Sequence, residues 1–179
     1  RFYSPYGLAL DASGNLYISA NNRVRRVSTD GIIITVAGNG SFSFSGDGGP
    51  AVNAGLWGPT GLAVDAGGNL YIADTVNNRV RMVATTGVIT SVLRGLEAPS
   101  GLALDSSGNL YVADRFNHLI RKLSPLGIIS TVAGNHTPGY AGDGGSALGA
   151  SLNAPLGVAV DAAGNIYIAD TSNHAIRRV

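Results

Sequence analysis

The sequence predicts an all-β repeat protein, because one unit occurs in four copies along 179 residues. The clearest copy, Pro59–Arg81, has the sequence PTGLAVDAGGNLYIADTVNNRVR and returns from Pro99 and from Pro155. A shorter copy starts at Pro5. The glycines near the start of the copies recur 40 to 56 residues apart; they are Gly7, Gly61, Gly101 and Gly157. A period near 40 residues with four short strands per unit is typical of a β-propeller blade.

Each copy opens with small apolar residues such as Gly61–Val64, without polar alternation. This pattern favours an innermost strand that is covered on both faces. In the turn that follows, an aspartate can accept backbone N–H bonds, and a glycine three residues later can take the positive φ that closes a hairpin. The turn aspartates are Asp11, Asp65, Asp105 and Asp161.

The second strand of each copy combines tyrosine with β-branched residues, as in Leu70–Asp74, and the third alternates apolar and basic residues, as in Arg79–Val83. The third strand is therefore expected to be half exposed. An acid recurs at the end of the second strand and an arginine in the third. We predict that these positions form structural ion pairs; they are Asp74, Asp114, Asp170, Arg25, Arg81, Arg121 and Arg177.

Fourth strands are predicted at Ile32–Ala37, Val88–Leu93 and Ile128–Ala133, whereas the last copy stops at Val179, in its third strand. We therefore expect one propeller segment spanning residues 1–179, with a last blade that lacks its outer strand. The blades are predicted at about residues 5–38, 59–93, 99–134 and 155–179. Either further blades of a longer chain follow, or another copy closes the ring, or the four blades close imperfectly. Residues 1–3 could pair only briefly with an open edge. The start at Arg1 suggests a piece of a longer protein.

Two connections are long, at residues 38–58 and 134–154, and one is short, Arg94–Ala98. Both long loops contain the sequence Gly-Asp-Gly-Gly, in which Asp47 and Asp143 are expected to accept backbone donors in a tight turn. A calcium site is disfavoured because the loop lacks dense alternating carboxylates. The recurrence predicts ordered loops with short helical turns at Ala51–Leu56 and Ala147–Leu152, and a unit of two blades that has been duplicated.

Two features characterise the sequence: the repeated motif G-[LV]-A-[LV]-D-x-x-G-N-[LI]-Y-[IV]-A-D-x-x-N-[NH]-x-[IV]-R and the G-D-G-G loop. In both features the chain resembles the NHL-repeat β-propellers, especially their bacterial and teneurin-like branch. The resemblance covers nearly the whole chain. It implies a binding platform, an extracellular or cell-surface location and a six-bladed ring, of which four copies fall short. The first copy departs from the pattern, since Ser19-Ala20 run directly into Asn21-Asn22. The fold by itself does not fix the function.

Composition narrows the function classes. Charged residues make up 13% and the net charge is +1, which argues against DNA as a partner. Most basic residues lie in third strands, and no aromatic residues alternate with them for base stacking, so nucleic-acid binding is disfavoured. There is no cysteine, and the longest apolar runs are too short to span a bilayer.

No catalytic or cofactor motif is present. His118 and His174 occupy one repeat position and could share a metal, but Asn22 and Asn78 stand there in the other copies. Because asparagine can make the same turn hydrogen bonds as neutral histidine, a structural role is favoured over a metal site. The chain has no G-x-S-x-G sequence, and Gly-Asp-Gly-Gly lacks the lysine and helix of a phosphate loop. We therefore predict neither metal nor cofactor.

Aromatic residues gather in the long loops; they are Phe42, Phe44, Trp57 and Tyr140. They either fasten the loops to the blades or form, with Asp47 and Asp143, a recognition patch, and Trp57 is expected to be buried. We predict a non-enzymatic scaffold that binds a protein or small ligand through its loop face or channel mouth. One alternative is a propeller lyase or hydrolase, which the apolar first strands disfavour. The other is an assembly module that self-associates through open blade edges.

Overall fold

The structure is a computed structural model that describes residues 4–179. Residues 1–3, and the brief strand pairing predicted for them, lie outside the described residues. The described chain forms four antiparallel sheets in which each strand pairs with the next in sequence. Three sheets have four strands and the last has three, which confirms the predicted all-β architecture.

The strands of the four blades follow the repeats. Blade 1 contains β1 (Leu8–Leu10), β2 (Leu16–Ala20), β3 (Arg23–Val27) and β4 (Ile33–Ala37). Blade 2 contains β5 (Pro59–Val64), β6 (Leu70–Asp74), β7 (Arg79–Val83) and β8 (Ile89–Leu93). Blade 3 contains β9 (Pro99–Leu104), β10 (Leu110–Asp114), β11 (Leu119–Leu123) and β12 (Ile129–Ala133). Blade 4 contains β13 (Gly157–Val160), β14 (Ile166–Asp170) and β15 (Ala175–Arg178).

Helical structure in the described residues is confined to 3-10 turns. Two of them, Ala51–Asn53 and Ala147–Gly149, lie in the long loops and are shorter than the predicted turns. Three others connect the second and third strands of blades 2, 3 and 4; they are Thr75–Asn77, Arg115–Asn117 and Thr171–Asn173. Blade 1 instead turns through Asn21 and Asn22, both left-handed with φ of 54° and 55°. Asparagine tolerates this conformation, which suits a tight two-residue hairpin.

The turn between the first and second strands is fixed by its aspartate in every blade. In blade 1, both oxygens of Asp11 accept bonds from Asn15, one from its backbone N–H at 2.9 Å and one from its side chain at 2.8 Å. The Tyr17 hydroxyl donates to the same carboxylate at 3.3 Å. The side-chain bond from Asn15 lowers the pKa of Asp11. The repeated aspartates therefore hold the turn against the following strand.

The chain divides into two compact units, one ending at Gly95 and the other spanning Leu96–Val179. Each contains two blades and its own buried cluster. The cluster of unit 1 includes Leu56, Leu62, Ile72 and Ile89, and that of unit 2 includes Ile120, Leu152, Ile166 and Ile168. Apolar burial of this kind, at roughly 25 cal/mol per Å², is the main term that stabilises such stacked sheets.

Polar bonds also join the two blades within each unit. In unit 1, Ser19 Oγ of blade 1 donates to the Thr60 carbonyl of blade 2 at 2.7 Å. In unit 2, Ser100 Oγ donates to the Leu156 carbonyl at 2.9 Å. Ser19 lies near the end of β2, whereas Thr60, Ser100 and Leu156 lie at or beside the starts of first strands. The blades of a unit are therefore held together there by hydrogen bonding as well as by apolar contact.

Candidate functional site

The long loop of unit 1 folds back onto blade 2 through one arginine. Arg81 of β7 is fully buried, and its guanidinium lies 2.7 Å from Asp47 of the loop and 3.4 Å from Asp74 at the end of β6. It also donates to the carbonyl oxygens of Ser45 and Gly55 at 3.1 and 3.3 Å. A planar guanidinium with several donors suits this role, because it can satisfy four acceptors at once.

The long loop of unit 2 repeats the arrangement. Arg177 of β15 lies 2.6 Å from Asp143 and donates to the carbonyl oxygens of Ser151 and Ala141 at 2.8 and 2.9 Å. Its distance to Asp170 is 3.7 Å. The hydrogen bond from Arg177 lowers the pKa of Asp143. The same carboxylate accepts a bond from the Tyr140 hydroxyl at 3.1 Å, which raises the pKa of that tyrosine.

Asp47 and Asp143 were expected to accept backbone donors within their own turns, whereas the structure places each against an arginine of the following blade. The sequence carried a signal for this pairing. Asp143 follows Asp47 by 96 residues, and Arg177 follows Arg81 by the same interval. The aspartates and the arginines are thus separated by the same interval. A duplication of two blades that preserved the contact would produce this equality.

The predicted ion pairs between repeated arginines and aspartates occur in blades 2 and 4. In blade 1 the position of Asp74 holds Ala20, and among residues 4–179 Arg25 forms no ion pair within 4 Å. Arg121 of blade 3 bonds to the Thr131 hydroxyl at 3.2 Å instead. Asp114, at the end of β10, is fully buried, and loss of hydration raises its pKa although the Glu97 N–H and the Asn117 side chain donate to it.

Two loop aromatics contact arginines. The Phe44 ring centroid lies 3.6 Å from the Arg79 guanidinium carbon and 4.9 Å from that of Arg81. Tyr140 has a similar relation to Arg177, at 5.2 Å. Such cation–π contacts are attractive and help to fasten the loops. Phe44 and Tyr140 therefore lie with Asp47 and Asp143 on the two loop–blade junctions.

The prediction that Trp57 is buried is wrong, because 41% of its surface is exposed. Its backbone is fixed instead. The Trp57 N–H donates to Asp74 at 2.8 Å, and the Trp57 carbonyl accepts from the Val76 N–H at 3.1 Å. These backbone bonds position the chain at the start of blade 2 and leave the indole at the surface.

Phe42 lines a cavity in unit 1 that has a volume of about 400 Å³. Tyr6 also lines the cavity, and both rings are largely exposed, at 70% for Tyr6 and 74% for Phe42. The rest of the lining is the Asn21–Arg23 turn with Ser4, Gly40, Gly58 and Pro59. Sequence reasoning selected Phe42 but missed Tyr6 and Arg23, because they lie far from the long loop in sequence.

Arg23 is the one charged residue that residues 4–179 contribute to the lining of this cavity. Its guanidinium donates to the Asn39 carbonyl at 2.7 Å and packs so closely on Gly40 that a Cβ there would lie 2.4 Å from it. Among the described residues, no carboxylate lies within 4 Å of Arg23. The cavity therefore presents a fixed positive charge beside two aromatic rings.

The short turn of blade 1 explains where the cavity lies. In blades 2 to 4 the corresponding connection contains a 3-10 turn, and in blade 2 the Cγ2 atom of Val76 in that turn would lie 3.0 Å from a Cβ on Gly58. Blade 1 has no such turn. The lining chemistry is also particular to unit 1, because the positions of Tyr6, Arg23 and Phe42 in unit 2 hold Ser100, Leu119 and Pro138.

The repeat position shared by asparagine and histidine has a structural contact in both units. Asn22 Oδ1 accepts from the Gly58 N–H at 2.9 Å, and His118 Nδ1 accepts from the Ala154 N–H at 3.0 Å. These acceptors are equivalent by sequence, so histidine replaces asparagine here without loss of the bond. Across residues 4–179 there is no group of three His, Cys, Asp or Glu side chains that could hold a metal ion.

The sequence matches two family models. The NHL repeat model matches residues 96–123 and 152–178, and the teneurin NHL domain model matches residues 42–97. The chain belongs to the NHL-repeat family. This confirms the resemblance drawn from the repeated motif.

Relatives of this NHL-repeat chain include much longer proteins. It is 41% identical to human Teneurin-4 over 95 residues and 38% identical to chicken Teneurin-1 over 96 residues. These matches cover 45% of the chain and only 3 to 4% of the length of those relatives.

Solved structures resemble the NHL-repeat chain over nearly its whole length. A Bacteroides thetaiotaomicron protein of unknown function has a TM-score of 0.76 at 24% identity, with 97% of this chain and 46% of that chain covered. An auxiliary nutrient binding protein from Bacteroides ovatus gives 0.73 at 17%, covering 99% and 48%. Virginiamycin B lyase from Staphylococcus aureus gives 0.69 at 16%, covering 98% and 52%. At these identities the likeness shows the fold alone, which is a β-propeller built of four-stranded blades. Across residues 4–179, no helical segment has the length and hydrophobicity that a bilayer span requires.

Proposed function

We propose that this NHL-repeat chain is a non-enzymatic binding module whose cavity between Tyr6 and Phe42 takes a ligand that joins an apolar group to a carboxylate. The observation that carries the proposal is the lining of the cavity, where two exposed rings stand beside one uncompensated guanidinium. Pockets of 300 to 1,000 Å³ with aromatic walls and a few placed polar groups are typical of small-ligand sites.

Charge and ring geometry define the ligand class. Arg23 supplies planar N–H donors, which match a carboxylate better than a neutral polar group. Tyr6 and Phe42 offer apolar surface with little side-chain entropy to lose on binding, since each has two side-chain torsions. A free acid with a phenyl or branched aliphatic group, or a peptide that ends in such a residue, meets both requirements.

The lining supports a binding role over catalysis. Among the described residues it contains no histidine, aspartate or glutamate, which are the most common general acids and bases. A lyase or hydrolase requires a positioned group that takes or gives a proton. Structural neighbours include both a nutrient binding protein and a lyase, so this distinction rests on the cavity itself.

The test is a titration of the labelled protein with 4-phenylbutyrate and with its neutral analogue 4-phenylbutanol, followed by backbone amide NMR. We expect saturable shifts at Asn21–Arg23 and Phe42 with the acid and much weaker ones with the alcohol. Since hydrogen bonds to charged groups contribute about 1.5–3 kcal/mol, Arg23→Gln should weaken binding of the acid roughly tenfold or more.

Phe42→Ala should weaken binding of both compounds, and Phe116→Ala, which removes an exposed ring in unit 2, should change neither. Equal affinity for the acid and the alcohol would contradict the assigned ligand class. Shifts that avoid the cavity would contradict the site. Chemical conversion of the added acid would favour the enzymatic alternative instead.

A further inference from the structure

In unit 1 the outer strand β8 carries an added segment on its free edge. The segment is Gly46–Ala51 of the long loop. Gly48 N–H donates to the Ile89 carbonyl at 2.8 Å, Ile89 N–H donates to the Gly49 carbonyl at 3.0 Å, and Pro50 pairs antiparallel with Val88. The loop therefore behaves as a fifth strand of blade 2, although it precedes that blade in sequence.

The added segment has two effects on the side chains below it. Ile89 becomes fully buried, and Asp47 of the segment reaches the fully buried Arg81 of the neighbouring strand. One short stretch thus covers an apolar residue, satisfies backbone groups of an edge strand and neutralises an arginine. Its glycines allow the close approach, and its carboxylate supplies the charge.

Blade 3 has the same strand positions without such a segment. The link that precedes it, Arg94–Ala98, is too short to hold the Gly-Asp-Gly-Gly sequence. Ile129 of β12, which corresponds to Ile89, is 43% exposed, and Ile128 beside it is 63% exposed. In the described part of the chain no residue pairs with the backbone of Ile129 as Gly48 and Gly49 do with Ile89.

The arginine of blade 3 also lacks the acid that the segment provides in blade 2. Arg121 corresponds to Arg81, and within residues 4–179 no carboxylate lies within 4 Å of it. The Nε atoms of Arg81 and Arg121 are both buried without a hydrogen-bond partner, so the two arginines differ in the carboxylate and not at Nε. The neighbouring Lys122 extends from the opposite face of the strand, over the Tyr111 ring. An edge with exposed isoleucines beside an arginine that has no carboxylate partner complements an acidic extended segment.

We propose that the outer edge of β12 docks an extended segment of a partner protein in which an aspartate or glutamate is flanked by glycines. Main-chain bonds at Ile129 would supply the affinity, as in strand addition to a sheet edge, and the acid at Arg121 would supply the specificity. The residues of this surface belong to unit 2, and none of them lines the cavity at Tyr6 and Phe42.

The test uses an acetylated, amidated peptide with the sequence of residues 43–53 and a second peptide with asparagine at the position of Asp47. Amide NMR of the labelled protein should show saturable shifts at Ile128–Ser130 with the first peptide, while the amide of Ile89 stays unchanged because its edge is already paired. The asparagine peptide should bind roughly tenfold more weakly, since a hydrogen bond to a charged group contributes about 1.5–3 kcal/mol.

Arg121→Gln should abolish the difference between the two peptides, and Arg178→Gln, an exposed arginine of the same unit, should leave it intact. The peptide comparison stands even if the Arg121 variant does not fold. Equal binding of the two peptides, or no shift at β12, would overturn the proposal. Protection of the Ile129 amide against hydrogen exchange could instead increase with protein concentration in the absence of peptide. That result would identify a second copy of the chain as the occupant and would also overturn the proposal.

Discussion

Arg81 and Arg177 occupy one repeat position but differ in how far their partners are removed from water. The side chain of Asp47 is 25% exposed beside the fully buried Arg81, whereas that of Asp143 is 66% exposed beside Arg177. Removing one partner of a buried pair leaves an uncompensated charge, which is far more destabilising than loss of an exposed pair. The same contact should therefore contribute differently in the two units.

We expect Asp47→Asn to lower the free energy of unfolding by about 2–3 kcal/mol, below the full effect for a buried pair because Asp74 remains. Asp143→Asn should cause a clearly smaller loss. Urea unfolding of the two variants and the parent protein measures both values. Equal losses would show that burial of Arg81 does not make its pair with Asp47 the stronger contact.

At the residue scale, the sequence predicted which positions repeat but not all of their partners. The turn aspartates could be assigned because their bonds are local, as between Asp11 and Asn15. The partner of Asp47 lies 34 residues away on another strand, and no local pattern specifies that distance. The sequence did not indicate that Tyr6 and Arg23 belong to the cavity for the same reason, because its lining residues come from separate segments of the chain.

Among the elements, the long loop of unit 1 depends on a close approach at Gly46. This residue has φ of +85°, and a Cβ on it would lie 2.8 Å from the Ala54 Cα. Gly48, two residues later, has nearly the same φ of +82° but nothing within 4 Å of the position of a Cβ. Comparing alanine substitutions at the two positions therefore distinguishes the effect of backbone strain from that of steric contact.

Gly48→Ala should lower the free energy of unfolding by about 1–2 kcal/mol through left-handed strain alone. Gly46→Ala should lower the free energy of unfolding by at least the same amount. It should also displace the loop from β8, because the Ala54 backbone cannot move away from the added methyl group as a flexible side chain could. Hydrogen exchange at Ile89 gives a direct readout, and it should speed up more in Gly46→Ala. Similar exchange in both variants would mean that the loop tolerates the added methyl group.

The elements themselves followed closely from the sequence. The predicted fourth strand Val88–Leu93 is observed as Ile89–Leu93, and the recurrent loop sequence correctly indicated a short helical turn. The pairing of Gly46–Ala51 with β8 was not predicted, because glycine-rich sequence has no β propensity of its own. Its pairing comes from the edge that it covers and from the arginine below.

At the scale of the whole molecule, residues at corresponding positions of the two units contribute to the buried apolar clusters. Ile72 and Ile168 are 96 residues apart, hold equivalent places in β6 and β14, and are almost completely buried. Ile72 belongs to the cluster of unit 1 and Ile168 to that of unit 2. The two isoleucines therefore stabilise two different apolar clusters.

Truncating either isoleucine should destabilise its own unit selectively. Ile72→Ala and Ile168→Ala each remove a buried side chain, which typically costs about 2–5 kcal/mol. Since repeat proteins are stabilised by each repeat and its neighbours, we expect faster amide exchange in β5 to β8 for the first variant and in β13 to β15 for the second. Hydrogen exchange followed by mass spectrometry compares the two patterns in one experiment. Uniform loss of protection along residues 4–179 in both variants would instead mean that the four blades unfold as one cooperative body.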